Sequence, residues 1–355
     1  MKNIKIMGAG LSGLSAAINL VRAGYIVDVF EKRDDCGRRF LGDLEGFENW
    51  SSSIDAIDEL RSMNVKVNFD CSPFKAICLT DGKKLLKNTC SKPIFYLVKR
   101  GVDDNSLDQG LKNQAIDLGV NIHFNSETKK ENMDIISTGV AENKYSAIAK
   151  GISFETESDD IAVALLNKKA SNNGYSYLLI SKGYGTMCSI NFYETGINAN
   201  AYFKKTYEII TKLFDIDIKN EENVGGIGCF LQKPRLVENN KIYTGEAAGL
   251  QDYLWGFGMR YAVTSGFLAA LSIIEYKDYE KLIEQRLSSR LKTSVVNRFI
   301  VEKLGDRYYA LLLRFAKKYN IWIDLLHRRY NPSWYSRIIY PFARWSLSQK
   351  YINSP

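Results

Sequence analysis

Three groups of residues in this chain have types and spacings that can do chemistry. The first is Gly8-Ala9-Gly10-Leu11-Ser12-Gly13, with a carboxylate farther along at Glu31. A turn of this pattern lets a diphosphate lie against backbone. Gly8 permits the tight bend, Gly10 leaves room for the pyrophosphate, and Gly13 lets helix and strand pack closely. The helix opening there offers free N–H groups and a partial positive charge. A carboxylate about 20 residues beyond the turn accepts hydrogen bonds from ribose hydroxyls and disfavours a 2′-phosphate. The turn therefore predicts a dinucleotide other than NADP, with FAD and NAD both open at this point. The second group is Gly245-Glu246-Ala247-Ala248-Gly249, followed by Trp255-Gly256-Phe257-Gly258-Met259. Small residues admit a flat ligand to the backbone. A helix opening after Gly258 aims N–H groups at whatever lies before it, which suits the electron-rich pyrimidine end of a reduced flavin. The third group is aromatic: Tyr175, Tyr177 and Trp255 are candidate walls of a substrate pocket.

Other chemistries find little support. The only histidines are His123 and His327. His123 falls in an apparent strand as a structural residue, so a histidine-based triad is hard to assemble. The six cysteines form no Cys-x-x-Cys pair and no histidine accompanies them, so no metal site is expected. Cys36 and Cys188 read as buried thiols.

These groups need a scaffold, and the local patterns describe one. Asn3 to Met7 alternates as a strand, Leu14, Ala17, Ile18 and Val21 follow at helical spacing, Gly24 stops that helix, and Tyr25 to Phe30 forms a second strand ending at Glu31. Ser106 to Gly119 reads as a helix, Val120 to Phe124 as a strand, and Met133 to Gly139 as a strand closing in a tight turn. From about residue 152 to Tyr193 the period becomes two, which predicts antiparallel sheet, and a helix follows from Asn198 to Leu213. The expected class is α/β: a Rossmann-like dinucleotide-binding domain (1–70, 100–140 and 241–275), an inserted antiparallel β-sheet substrate domain (71–99 and 141–240), and a C-terminal basic helical region (276–355).

On these residues the chain resembles the flavoprotein superfamily of p-hydroxybenzoate hydroxylase, and within it is most similar to the geranylgeranyl reductases. The resemblance covers roughly residues 1–275. It rests on the N-terminal turn and on Gly245 to Ala270, which resembles that family's Gly-Asp-Ala-Ala-Gly segment and the helix after it. The resemblance implies FAD as the cofactor. Gly8, Gly10, Leu11, Ser12 and Gly13 would hold the pyrophosphate, with Glu31 and Lys32 at the adenosine ribose. Arg100 and Gly139 would contact FAD, Gly245 and Glu246 would meet its ribityl chain, and Gly256, Gly258 and Met259 its isoalloxazine. Tyr175 to Ile180 aligns with the family's Tyr-x-Trp-x-Phe-Pro stretch above the ring. The chain departs from the pattern at Glu246, where Asp is usual, at Tyr253 and Trp255, and at Ile180 in place of Pro. It reads Ser137-Thr138-Gly139 where the hydroxylases carry Asp-Gly.

The activity this implies is reduction of carbon–carbon double bonds in an isoprenoid lipid by hydride from reduced flavin, with an external electron donor. Aromatic monooxygenation and a non-catalytic, electron-carrying role are the alternatives. Charge adds a further expectation. Residues 281–355 hold 15 Lys+Arg against 4 Asp+Glu, whereas the rest holds 33 against 36. Within that basic region Trp334 to Trp345 interleaves aromatics with Arg337 and Arg344, a composition suited to an anionic membrane surface or to a helix capping the domain. No nucleic-acid-reading module and no apolar span or targeting signal stands out, so a cytoplasmic protein, peripheral to a membrane through its C-terminal region, is the expectation.

Overall fold

The computed structural model describes residues 2–139, 146–192, 196–229, 234–318, 326–328, 330–331 and 334–352. The six-stranded sheet runs in the order β15 (Val237–Glu238), β16 (Lys241–Tyr243), β9 (Ile135–Ile136), β1 (Asn3–Met7), β2 (Ile26–Phe30), β8 (Asn121–His123). All its pairs are parallel except β15 with β16. Ile4, Ile6, Val27, Val29, Ile135 and Ile136 are buried, as expected of a parallel sheet covered on both faces.

The helix α1 (Leu11–Arg22) is buried along its first ten residues. Small side chains there let α5 (Met259–Ile274) come close: a Cβ on Gly266 would sit 2.0 Å from the Ser12 carbonyl oxygen. α2 (Ala56–Ser62) and α3 (Leu107–Asp117) are capped by Asp55 and Ser106, whose side chains accept from Ile57 N–H and Gln109 N–H.

The seven-stranded sheet has the order β14 (Lys219–Gly228), β10 (Ala147–Glu155), β13 (Tyr184–Phe192), β12 (Tyr175–Ser181), β11 (Ile161–Leu165), β5 (Ala76–Thr80), β6 (Leu85–Thr89). It is antiparallel but for the β11–β5 pair. The strict alternation along β12 sends Leu178 and Ile180 to a core that also takes Ile210 of α4 (Ala199–Leu213), and Tyr175, Tyr177 and Leu179 to the opposite face. A three-stranded sheet, β3 (Leu44–Glu48), β7 (Phe95–Lys99), β4 (Cys71–Phe74), joins segments that the sequence divides between two domains.

The C-terminal region is helical where it is described. α6 (Tyr279–Ile283) passes through one π turn into α7 (Ser289–Leu304), followed by α8 (Asp306–Lys318) and α9 (Trp334–Ile352). Tyr193, at the end of the expected strand, and 319–325, inside the expected helical stretch, lie outside the described residues. Among the described residues no helix is long and apolar enough to cross a membrane.

Candidate functional site

The glycine turn joins β1 to α1 as its spacing requires. Gly8 has φ +100°, and a Cβ there would press on the Ser137 carbonyl oxygen at 2.5 Å; one on Gly13 would meet the Gly8 carbonyl oxygen at 2.1 Å. Gly10 is different. Nothing lies within 4 Å of its would-be Cβ, and no side chain caps the helix it opens. The open side of the turn and the helix N-terminus therefore coincide, which is the arrangement that receives a diphosphate. Glu31 closes the turn from the side: Oε2 accepts from Ala9 N–H at 2.9 Å and Oε1 from Arg33 N–H at 3.1 Å.

One cavity of about 620 Å³ starts at this turn. It takes in Gly8, Gly10, Leu11, Ser12, Glu31 and Lys32 at its nucleotide end. Gly139, Glu246, Gly256, Gly258, Met259 and Arg100 line its middle, and Tyr175, Tyr177 and Trp255 its far wall. Gly13 and Gly245 stand behind the lining as packing positions. Gly245, at φ +56°, donates its N–H to Ser265 Oγ, and a Cβ on it would lie 2.7 Å from Ser12 Oγ.

At mid-cavity the Glu246 carboxylate takes Arg39 Nη1 at 2.7 Å and Cys229 N–H at 3.1 Å. Arg39 also donates to the carbonyl of Ile227 on β14, so one guanidinium ties the seven-stranded sheet to the Gly245–Ala248 turn. Gly139 and Gly226 stand beside this pair with space for a ligand edge: their would-be Cβ atoms come no nearer than 3.7 Å to it. Sequence reasoning missed Arg39 and the glycines of β14. The run Val224-Gly225-Gly226-Ile227-Gly228 carries the same small-residue signal that marked residues 245–249.

Arg100 lines the cavity, but its guanidinium is spoken for. Nε and Nη2 grip Asp108 at 2.8 and 3.0 Å, Nη1 reaches Glu45 at 3.1 Å, and the plane lies over the Phe40 ring at 3.9 Å. Burial pushes the Glu45 and Asp43 carboxyls upward, against the pull of Arg100. Both acids line the cavity, and neither was singled out from sequence.

The second glycine turn is held by a buried acid. Asp252 Oδ2 accepts from Trp255 N–H at 2.6 Å, its carbonyl accepts from Gly256 N–H at 3.0 Å, and its own N–H donates to Phe257 O at 2.9 Å. Gly256 takes φ +81°, which a side chain would strain. Tyr175 Oη donates to the Trp255 carbonyl at 3.0 Å, and the two rings meet edge to face. Burial drives the Asp252 carboxyl up to about 6 and the Cys188 thiol, beside Tyr177 on the neighbouring strand, up to about 12. Cys188 lines the cavity as a protonated thiol; Cys36 is buried behind it and its thiol is also pushed upward by burial. His123 pairs with Asp28 at 2.9 Å and stacks on Phe30, away from the cavity. Among the described residues no cluster could hold a metal ion.

Beyond Tyr175 and Tyr177 the cavity turns apolar, with Trp50 and Phe95 beside a set of leucines. Leu79, Leu166 and Leu179 come from the seven-stranded sheet and its edge, and Leu312 and Leu326 from the C-terminal region. Among the described residues no charged side chain belongs to this cluster.

The sequence profile of the NAD(P)-binding Rossmann-like domain matches residues 6–42. No curated protein matches the chain by sequence. Solved structures do match its fold. A geranylgeranyl bacteriochlorophyll reductase-like protein from Thermoplasma acidophilum superposes with a TM-score of 0.68 at 16% identity, covering 100% of this chain and 98% of that one. A flavin-dependent brominase gives 0.65 at 13% identity over 98% and 99%. The p-nitrophenol 4-monooxygenase of Pseudomonas putida gives 0.62 at 13% identity over 94% and 100%. The chain thus has the fold of the FAD-dependent oxidoreductases and monooxygenases. With the open glycine turn, the carboxylate beside it and the glycine-lined mid-cavity in place, the cofactor that fits is FAD.

Proposed function

We propose that this protein reduces carbon–carbon double bonds in an isoprenoid lipid with FAD as its cofactor. The observation that carries the proposal is the continuity of the cavity: it leads from the dinucleotide turn, past the Gly256 and Gly258 backbone, into an apolar end walled by Leu79, Leu166, Leu179 and Leu312. An apolar chain loses little on leaving water for such a wall, which supports an apolar substrate.

Bound FAD in its reduced state supplies the hydride. The protein's own residues do the rest. Glu31 and the α1 N-terminus hold the nucleotide end, and Arg39 and Glu246 hold the middle. Met259, the first residue of uncapped α5, turns its helix N-terminus toward the ring site. Trp255 and Tyr175, locked to each other, form a rigid wall that orients the chain and excludes water. Burial keeps the Tyr177 phenol protonated, so its O–H serves on the cavity wall as a hydrogen-bond donor.

The test is a single turnover without oxygen. Protein carrying reduced flavin is mixed with a geranylgeranyl-type lipid in detergent, and flavin reoxidation is followed with product mass. Reoxidation with a gain of two hydrogens per double bond is expected. No reoxidation by the lipid, with oxygenated product formed when oxygen and a phenol or aromatic acid are supplied in its place, would instead assign the monooxygenase reaction.

A further inference from the structure

The helix α9 is apolar on two opposite faces. One face, with Ile339, Ala343 and Leu347, packs into the core formed with Val295 and Val296 of α7. The other carries Trp334, Ile338, Phe342 and Trp345, spaced four, four and three residues apart. These are 76%, 69%, 56% and 60% exposed. A helix that is apolar all round is normally enclosed, and four large side chains left together on one stripe exceed what a soluble surface usually tolerates.

The charge beside the stripe says what covers it. Trp334–Ile352 contains no acidic residue, and Arg337 and Arg344 are exposed on the same helix. The whole segment 281–355 carries 15 basic and 4 acidic residues. The helix α8, which like α9 contacts α7, also has an exposed apolar edge. Its Leu312 lines the apolar end of the cavity, while Leu311 and Phe315 are 42% and 45% exposed next to the exposed Arg314. Indole rings at the edges, aliphatic and phenyl groups between them, and guanidinium groups alongside match the boundary between acyl chains and an anionic headgroup layer.

We infer that α9, with the outer edge of α8, docks this protein on an anionic lipid bilayer, lying in the interface rather than crossing it. Where the outer edge of α8 also meets the bilayer, this helix, with Leu312 on the cavity and Leu311 and Phe315 outward, would let an apolar substrate pass between them with little contact with water. The docking assignment stands on the surface alone and does not use the identity of the substrate.

The experiment is co-sedimentation of the full-length FAD-loaded protein with vesicles of phosphatidylcholine alone or mixed with phosphatidylglycerol, neither containing an isoprenoid lipid. Binding is expected to the mixed vesicles, and to fall in high salt as the screening length shortens. The triple variant Trp334→Ser, Ile338→Ser, Trp345→Ser should bind at least about tenfold more weakly, with unchanged flavin spectrum and melting because the three side chains face outward. Arg337→Gln with Arg344→Gln should remove most of the preference for phosphatidylglycerol. Equal pelleting of wild type and triple variant, or no pelleting of either, would overturn the inference. So would a dimer seen by light scattering that the triple variant dissolves without any vesicle binding, since the face would then belong to a second copy. Because no turnover is read, failure here leaves the reductase reading untouched, and failure of that reaction leaves the docking result untouched.

Discussion

Replacing Glu31 by alanine separates a ligand contact from a brace. Its two oxygens already accept from Ala9 N–H at 2.9 Å and Arg33 N–H at 3.1 Å. A carboxylate oxygen has two acceptor directions, so each retains one for a sugar hydroxyl. A hydrogen bond to a charged group contributes ~1.5–3 kcal/mol, and losing one ribose contact should weaken FAD binding by about 10- to 150-fold. Alanine also leaves Ala9 N–H without its partner, which costs the free protein ~1 kcal/mol and lowers its melting point by roughly a few degrees at most. Titration of apoprotein with FAD by fluorescence quenching, beside melts with and without FAD, measures both effects. Glu31→Gln keeps one acceptor oxygen and should fall between wild type and alanine. If Glu31→Ala melts lower yet binds FAD as tightly as wild type, the ribose role is refuted and Glu31 is only a brace for the glycine turn.

Two further substitutions test other layers of the same argument. Glu48 is buried with Oε2 unpartnered, and burial pushes its carboxyl up from 4.5 to about 7. The folded state therefore holds an extra proton between those values, so this group's stabilisation is full below the unfolded value and disappears as pH rises through about 7. Glu48→Gln should remove that slope, gaining up to ~3 kcal/mol on wild type between about pH 5 and pH 8 in denaturant melts; an identical pH slope in both proteins would contradict it. Gly266→Ala forces a methyl to within 2.0 Å of the Ser12 carbonyl oxygen, so it should destabilise the fold by ~1–3 kcal/mol and weaken FAD binding, because the first turn of α1 must move. Normal melting and normal affinity together would show that α1 and α5 are not packed as closely as described.

Local pattern carried the reading wherever both the signal and its consequence are local. The β1–turn–α1–β2 unit combines alternation, a glycine turn and helical spacing within thirty-one residues, and α5 follows its small residues directly. Strands β11 to β13 obey period two because one face meets α4 and the other the cavity. β14 was invisible for the opposite reason: Lys-Asn-Glu-Glu-Asn-Val-Gly-Gly-Ile-Gly is an edge strand, largely exposed, whose only evidence is pairing with β10, more than sixty residues away. The same holds for side chains. The place of Arg100 before a helix points to a cofactor contact, and Asp108 is close enough in sequence to be foreseen as its partner, but its engagement by Glu45 depends on β3 lying beside β7, a long-range pairing with no trace in periodicity. Arg39, between a cysteine turn and a strand, had no pattern around it at all.

The two ends of the cavity are built from different materials. The nucleotide end is made of backbone: a positive-φ glycine, an uncapped helix and a close crossing of α1 and α5. Such features survive almost any change of surface residues, so they identify a cofactor and leave the reaction open. The far end is made of side chains projecting from β5, β12 and the C-terminal helices, each free to change without touching the turn. In this chain those side chains are Leu79, Leu179, Leu312 and Leu326, with Tyr175 fixed to Trp255 at the threshold. An oxygenase acting on a polar aromatic would need charged or donating groups there to offset the desolvation of its substrate, and Tyr177 and Glu45 are the groups at the threshold that such a substrate would have to use. The apolar lining supports the apolar substrate proposed above, and the reaction would then be chosen at the end of the cavity farthest from the motif that first reveals the cofactor.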